Sequence, residues 1–176
     1  VGHMLDWMTQ HKAALDAMGG ISINLSGHSL NDEELLEFIY HRLSEHDAPI
    51  EKLWFEITEA AAISNIHSVA EFMNELKEIG CRFCLGNFGA GMSSYHFLKE
   101  LPVDMIKIDG TFIKNLTTDD GDRAMVRSMT EMVHFMGKEL VATQVEDMQC
   151  LDLLTSLGVD YAQGYVIEKP RLISNF

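Results

Sequence analysis

Six short apolar runs, at residues 21–25, 53–57, 82–88, 105–108, 140–145 and 161–167, alternate with longer segments whose apolar residues recur at helical spacing. Strand alternating with helix leaves few options. Consecutive strands run parallel, each crossover helix packs back on the sheet, and the outcome is an α/β fold. Leu35, Leu36, Ile39 and Leu43 form one helical stripe, with Asn31 and Glu34 spaced as a capping box ahead of it. Val69, Phe72, Met73, Leu76 and Ile79 form a second, closed by Gly80. A third, Met125, Met129, Met132, Val133 and Met136, is closed by Gly137, and a fourth, Leu151, Leu154 and Leu157, by Gly158. A glycine just past the last periodic residue suits the left-handed turn that ends a helix. The Met-rich stripe reads as a core-facing helix rather than a groove for a partner. Residues 5–18 read as one further helix with no strand ahead of it. The pattern alone leaves an open doubly wound sheet and a closed barrel both standing, and a complete (β/α)8 barrel typically takes about 250 residues. No repeat or linker interrupts the run, so residues 1–176 read as a single domain.

Composition narrows the function class. With 47% hydrophobic residues and a net charge of -14, the chain has enough apolar material for a core and repels free phosphates. Binding to DNA or RNA is therefore not expected. No apolar run approaches the roughly 20 residues that span a bilayer, so no membrane contact is expected from this segment. Three cysteines, Cys81, Cys84 and Cys150, are an odd number and fit a reducing compartment, which predicts a cytoplasmic location. Cys81 and Cys84 lie three apart on a strand, where they point to opposite faces, so their C-x-x-C spacing reads as structural. The eight histidines are scattered, with no paired metal-ligand spacing.

In parallel α/β folds, functional side chains gather at the C-terminal ends of strands. Asn24 stands there on the first run, Glu56 and Glu59 on the second, and Gly86 and Asn87 on the third. Lys107 and Asp109 follow on the fourth, Thr143 and Gln144 on the fifth, and Gln163 on the sixth. Carboxylate, amide and lysine are the parts of a hard-cation site with a positioned water, a kit for phosphodiester hydrolysis. Two carboxylates alone make a poor cage for a cation pair about 3.5 to 4 Å apart, which needs a bridging anionic oxygen. Lys107 alternates with Ile106 and Ile108, so it faces away from both and needs a partner.

Five motifs stand in one order and spacing: Asn24-Leu25-Ser26, Phe55-Glu56-Ile57-Thr58-Glu59, Leu101-Pro102-Val103-Asp104, Lys107-Ile108-Asp109-Gly110 and Tyr161-Ala162-Gln163-Gly164-Tyr165. Together they resemble the EAL family of cyclic di-GMP phosphodiesterases over nearly the whole chain. The resemblance implies a (β/α)8 TIM-like barrel of the EAL type, here incomplete with the first strands missing. It also implies cyclic di-GMP at the C-terminal face and hydrolysis with two Mg²⁺ or Mn²⁺ ions. Carried over by position, Asn24 and Glu56 match metal ligands, Lys107 the lysine that holds the attacking water, and Gln163 a glutamine near the same site. Glu59 matches a glutamate that steadies the loop after the third strand and helps form the metal site and dimer contact.

The departures bear on activity. Where the family has Asp-Asp-Phe-Gly, this chain has Gly86-Asn87-Phe88-Gly89, and where the family has Ala-Glu it has Ala142-Thr143. The family's Glu-Ala-Leu strand and a nucleotide-holding arginine have no counterpart in this chain. The expectation is a degenerate module without bound metal, in which Lys107, Gln163, Glu59, Asn24 and Glu56 are vestigial. It would act as a cyclic di-GMP sensor in a longer parent protein. The alternatives are a protein-interaction module using residues 89–97 and the helix after them, and residual metal-dependent hydrolysis in the parent. A homodimer or another protein partner is expected, since an open sheet edge calls for a cover.

Overall fold

The computed structural model describes residues 1–27, 29–31, 33–91 and 97–173. Six strands form one sheet in the order β1 (Ile21–Leu25), β2 (Leu53–Thr58), β3 (Arg82–Phe88), β4 (Met105–Ile108), β5 (Glu139–Ala142) and β6 (Tyr161–Ala162). The pairs β1–β2, β4–β5 and β5–β6 are parallel. A strictly sequential order is that of a barrel wall; a doubly wound sheet reverses direction at a switch point. Among the described strands the sheet stays open, ending at β1 and β6.

The chain divides into two compact units, one comprising Val1–Cys84 with His96–Val103, the other Leu85–Tyr95 with Asp104–Phe176. In the first, residues 5–18 make two helices rather than the single one expected: α1 (Gly2–Gln10) and α2 (Lys12–Asp16). The break falls at His11, whose φ of -121° and ψ of 41° leave the helical region while its ring stacks on Trp7 at 4.7 Å. Both helices still bury their apolar residues, Leu5, Trp7, Met8 and Leu15. Lys52 caps α2 from outside, its Nζ donating to the carbonyls of Leu15 and Met18. α3 (Glu33–Ser44) buries Ile39 and Leu43 of its predicted stripe; the capping side chain of Asn31 lies outside the described set. α5 (Ile66–Glu78) buries Val69, Phe72, Met73 and Leu76 as predicted and closes at Gly80, with φ of +106°. Phe55, Phe72 and Phe83 meet in the core, with ring centroids 5.8 and 6.3 Å apart.

In the second unit, α7 (Asp120–Phe135) is capped by Asp119, whose carboxylate accepts from the amides of Gly121 and Asp122. Its buried face is Val126, Met129, Thr130 and Val133, a rotation from the predicted Met stripe that leaves Met125 exposed. α8 (Met148–Ser156) is capped by Asp147 and buries Cys150 and Leu154, with Leu151 half-buried. Two predicted strands are shorter than expected. Residues 143–145 drop out of β5 because Gln144 adopts a left-handed φ of +59°, and β6 stops at Ala162 ahead of the Gly164 turn. All three cysteines are buried thiols. No described helix is long and apolar enough to cross a membrane.

Candidate functional site

The first unit brings Asn24 and Glu56 together. They are register partners across β1 and β2, and the two-residue alternation puts both on the more open face of the pair. Ser22, on the same face, donates its hydroxyl to Glu56 Oε2 at 3.5 Å. Thr58 ends β2 and caps α4 (Glu59–Ser64), its Oγ1 accepting from the amide of Ala61. That cap makes Glu59 the first helical residue, where its carboxyl side chain is buried at 4% exposure. A buried carboxylate is stable only with polar partners, and the helix start supplies a favourable dipole for it.

The second unit holds the remaining positions. Lys107 sits half-buried on β4 between the fully buried Ile106 and Ile108, the alternation the sequence predicts. Its register partner is Val141, two residues before Thr143; Val141 in turn pairs with Tyr161, two before Gln163. Thr143 and Gln163 each stand one residue past the end of their strand, beyond β5 and β6 respectively. The Thr143 hydroxyl turns back and donates to the Ile108 carbonyl at 2.7 Å. Gln163 is fixed by its backbone: its amide donates to Ala142 O at 2.8 Å and its carbonyl accepts from Val145 N at 3.1 Å.

Gly86 and Asn87 lie just before Phe88, the last residue of β3, and Asn87 carries a left-handed φ of +55°. Asparagine and aspartate tolerate that region better than other non-glycine residues, because their short polar side chains bond locally. The turn continues through Gly89, whose φ is +92° and where a Cβ would fall 2.7 Å from the Phe112 ring. Asp109 has a structural task the strand-end pattern does not reveal. Its carboxylate caps α6 (Gly110–Lys114) through the amide of Thr111, and its own amide donates to Phe88 O. Gln144 lies over Gly110, where a Cβ would come within 2.3 Å of its amide carbon.

A polar cavity of about 170 Å³ opens beside these residues, lined by Ile113, Lys114, Thr117, Gln144, Glu146, Asp147 and Cys150. Sequence reasoning singled out Gln144 but had no signal for the cavity, which depends on α6 and the start of α8 meeting there. Burial and the neighbouring Asp147 charge both push the Cys150 thiol above its ordinary pKa. Among the described residues, no three His, Cys, Asp or Glu side chains group as ligands for a metal ion. Residues 92–96 and the Phe97 side chain, within the loop expected to meet a partner, lie outside the described set.

Comparison with known proteins agrees with this architecture. The family model described as EAL domain matches residues 2–170. Cyclic di-GMP phosphodiesterase PdeB of Shewanella oneidensis is 44% identical over 156 residues, covering 89% of this chain and 18% of that protein. Cyclic di-GMP phosphodiesterase PdeF of Escherichia coli is 32% identical over 171 residues, covering 97% of this chain and 23% of its own length. This chain thus spans less than a quarter of either relative. The PaMucR phosphodiesterase in complex with c-di-GMP superposes with a TM-score of 0.88 at 27% identity, over 98% of this chain and 71% of the other. The FimX EAL domain of Pseudomonas aeruginosa bound to c-di-GMP gives 0.85 at 28% identity, over 95% and 67%. With a family match over nearly its whole length and a parallel sheet in sequential order, the chain belongs to the EAL domain family.

Proposed function

We propose that this chain is the EAL module of a cyclic di-GMP signalling protein, one domain over residues 1–176, that senses the dinucleotide without hydrolysing it. The observation carrying this reading is the donor set at the strand ends. At the positions matching the family's metal ligands stand one carboxylate, Glu56, two amides, Asn24 and Asn87, the Thr143 hydroxyl, and Gly86 with no side chain. The Thr143 hydrogen bond to Ile108 O spends that hydroxyl's proton on the backbone. Two adjacent divalent cations need several anionic oxygens, including a bridging one, and this set does not fit them. Lys107, Gln163 and Glu59 then serve as polar contacts and supports. The buried thiols and the named relatives fit a cytoplasmic part of a larger signalling protein, acting with a protein partner or a second copy.

A second reading, residual phosphodiesterase activity, is favoured by the 44% identity to a protein named for that activity and by the retained Glu56 and Lys107. Calorimetric titration with cyclic di-GMP, with and without Mg²⁺, followed by chromatography for the linear product, separates the two. Metal-independent heat without product supports the sensor. Metal-dependent product overturns it, and no heat in either condition moves the role to protein interaction. The triple substitution Gly86→Asp, Asn87→Asp and Thr143→Glu should restore metal-dependent binding if the donor set is the deficit.

A further inference from the structure

His46, two residues past α3, meets two acceptors at once. Its Nδ1 lies 2.7 Å from the Arg42 carbonyl and its Nε2 lies 2.7 Å from Oδ1 of Asp6 on α1. A neutral imidazole has one N–H and satisfies only one of these; the imidazolium donates to both. The His46 side chain is 12% exposed and that of Asp6 47%, so the histidine has little water to replace a lost partner. Around the pair stand His3 on α1 and Arg42 on α3, the latter bound to Glu45 at 2.9 Å. The Arg42 guanidinium also packs against Gly2, where a Cβ would come within 2.9 Å of Nη2. The next residue continues the grip, with Asp47 accepting from Lys12 of α2 at 2.6 Å.

We propose that His46 and Asp6 form a pH-operated latch that docks α1 against the end of α3 when the imidazole is charged and loosens it when the imidazole is neutral. The direction of titration agrees. The bond to Asp6, and then that to the Arg42 carbonyl, raise the His46 pKa above 6.5, while the bond to His46 chiefly lowers Asp6 below 3.8. For His46, the raised value means stabilisation is full below 6.5 and lost as pH rises through the folded pKa. For Asp6, the lowered value means stabilisation is present above 3.8 and lost as pH falls through the folded pKa. The latch is therefore closed in mildly acidic solution and opens on the alkaline side. The bond from Lys12 lowers the Asp47 carboxyl below its ordinary range, so Asp47 stays an acceptor and holds α2 throughout.

The test is ¹⁵N NMR of the His46 ring and amide exchange of α1 in this chain, from about pH 6 to about pH 9. Two ring N–H signals are expected at the acidic end. Above the His46 midpoint, α1 opening relative to α5 should rise by up to about tenfold per pH unit, the limit for one linked proton. Asp6→Asn and His46→Gln should each abolish that slope, whereas Asp47→Asn should leave it. A His46 midpoint at or below 6.5, a single ring N–H at the acidic end, or a slope surviving in Asp6→Asn would overturn the latch.

Discussion

Replacing Gly164 with alanine tests how the backbone around Gln163 is held. A Cβ at that position would lie 2.0 Å from Val145 O, 2.4 Å from its N and 2.6 Å from its C, all main-chain atoms that no rotamer change can move. Carbon and oxygen settle at about 3.5 Å, so the two segments must part by more than about 1 Å. The displacement strains three hydrogen bonds in which the segments meet: Gln163 N to Ala142 O at 2.8 Å, Val145 N to Gln163 O at 3.1 Å, and Val166 N to Val145 O at 3.3 Å. Losing two of them at about 1 kcal/mol each, with about 1–3 kcal/mol of overpacking, gives a destabilisation of about 3–5 kcal/mol. Gly19 is the control: a Cβ there would meet no atom within 4 Å, and Gly19→Ala should stay within about 0.5 kcal/mol of the parent. Urea unfolding followed by circular dichroism measures both. If Gly164→Ala costs no more than Gly19→Ala at equal denaturant slope, the close approach does not hold in solution and the reasoning fails.

Asn87 gives a backbone test at a position where the family carries a carboxylate. Asn87→Val places a β-branched residue at φ of +55° and should destabilise by about 1–2 kcal/mol or more, whereas Asn87→Gly should change stability by under about 1 kcal/mol. Equal midpoints for the two variants in thermal melts would contradict the left-handed assignment. Burial pushes the Cys81 thiol up to about 12, so in the native protein near pH 8 it should alkylate with iodoacetamide far more slowly than in urea. Rapid native-state labelling of Cys81, read by mass spectrometry, would show that its pocket opens.

The sequence by itself determined the alternation of strand and helix, because apolar periodicity and helix-ending glycines are local signals. Three of six strands match their predicted bounds, β1, β3 and β4, and Gly80, Gly137 and Gly158 all carry positive φ where the stripes end. Asn24, Glu56 and Lys107 fall on the strands where local spacing places them. Tertiary structure decided the rest. Whether the sheet is barrel-like or doubly wound depends on strand order, a long-range property that periodicity does not carry, and the sequential order answers it. The inward face of α7 turned on which methionines meet the sheet, and packing selected Val126, Met129 and Val133 over Met125. β5 ends early because Gln144 turns left-handed above Gly110, and residues 5–18 break at His11, where the ring stacks on Trp7. The pairing of Asn24 with Glu56, and of His46 with Asp6, likewise arises only when segments distant in the chain are brought side by side.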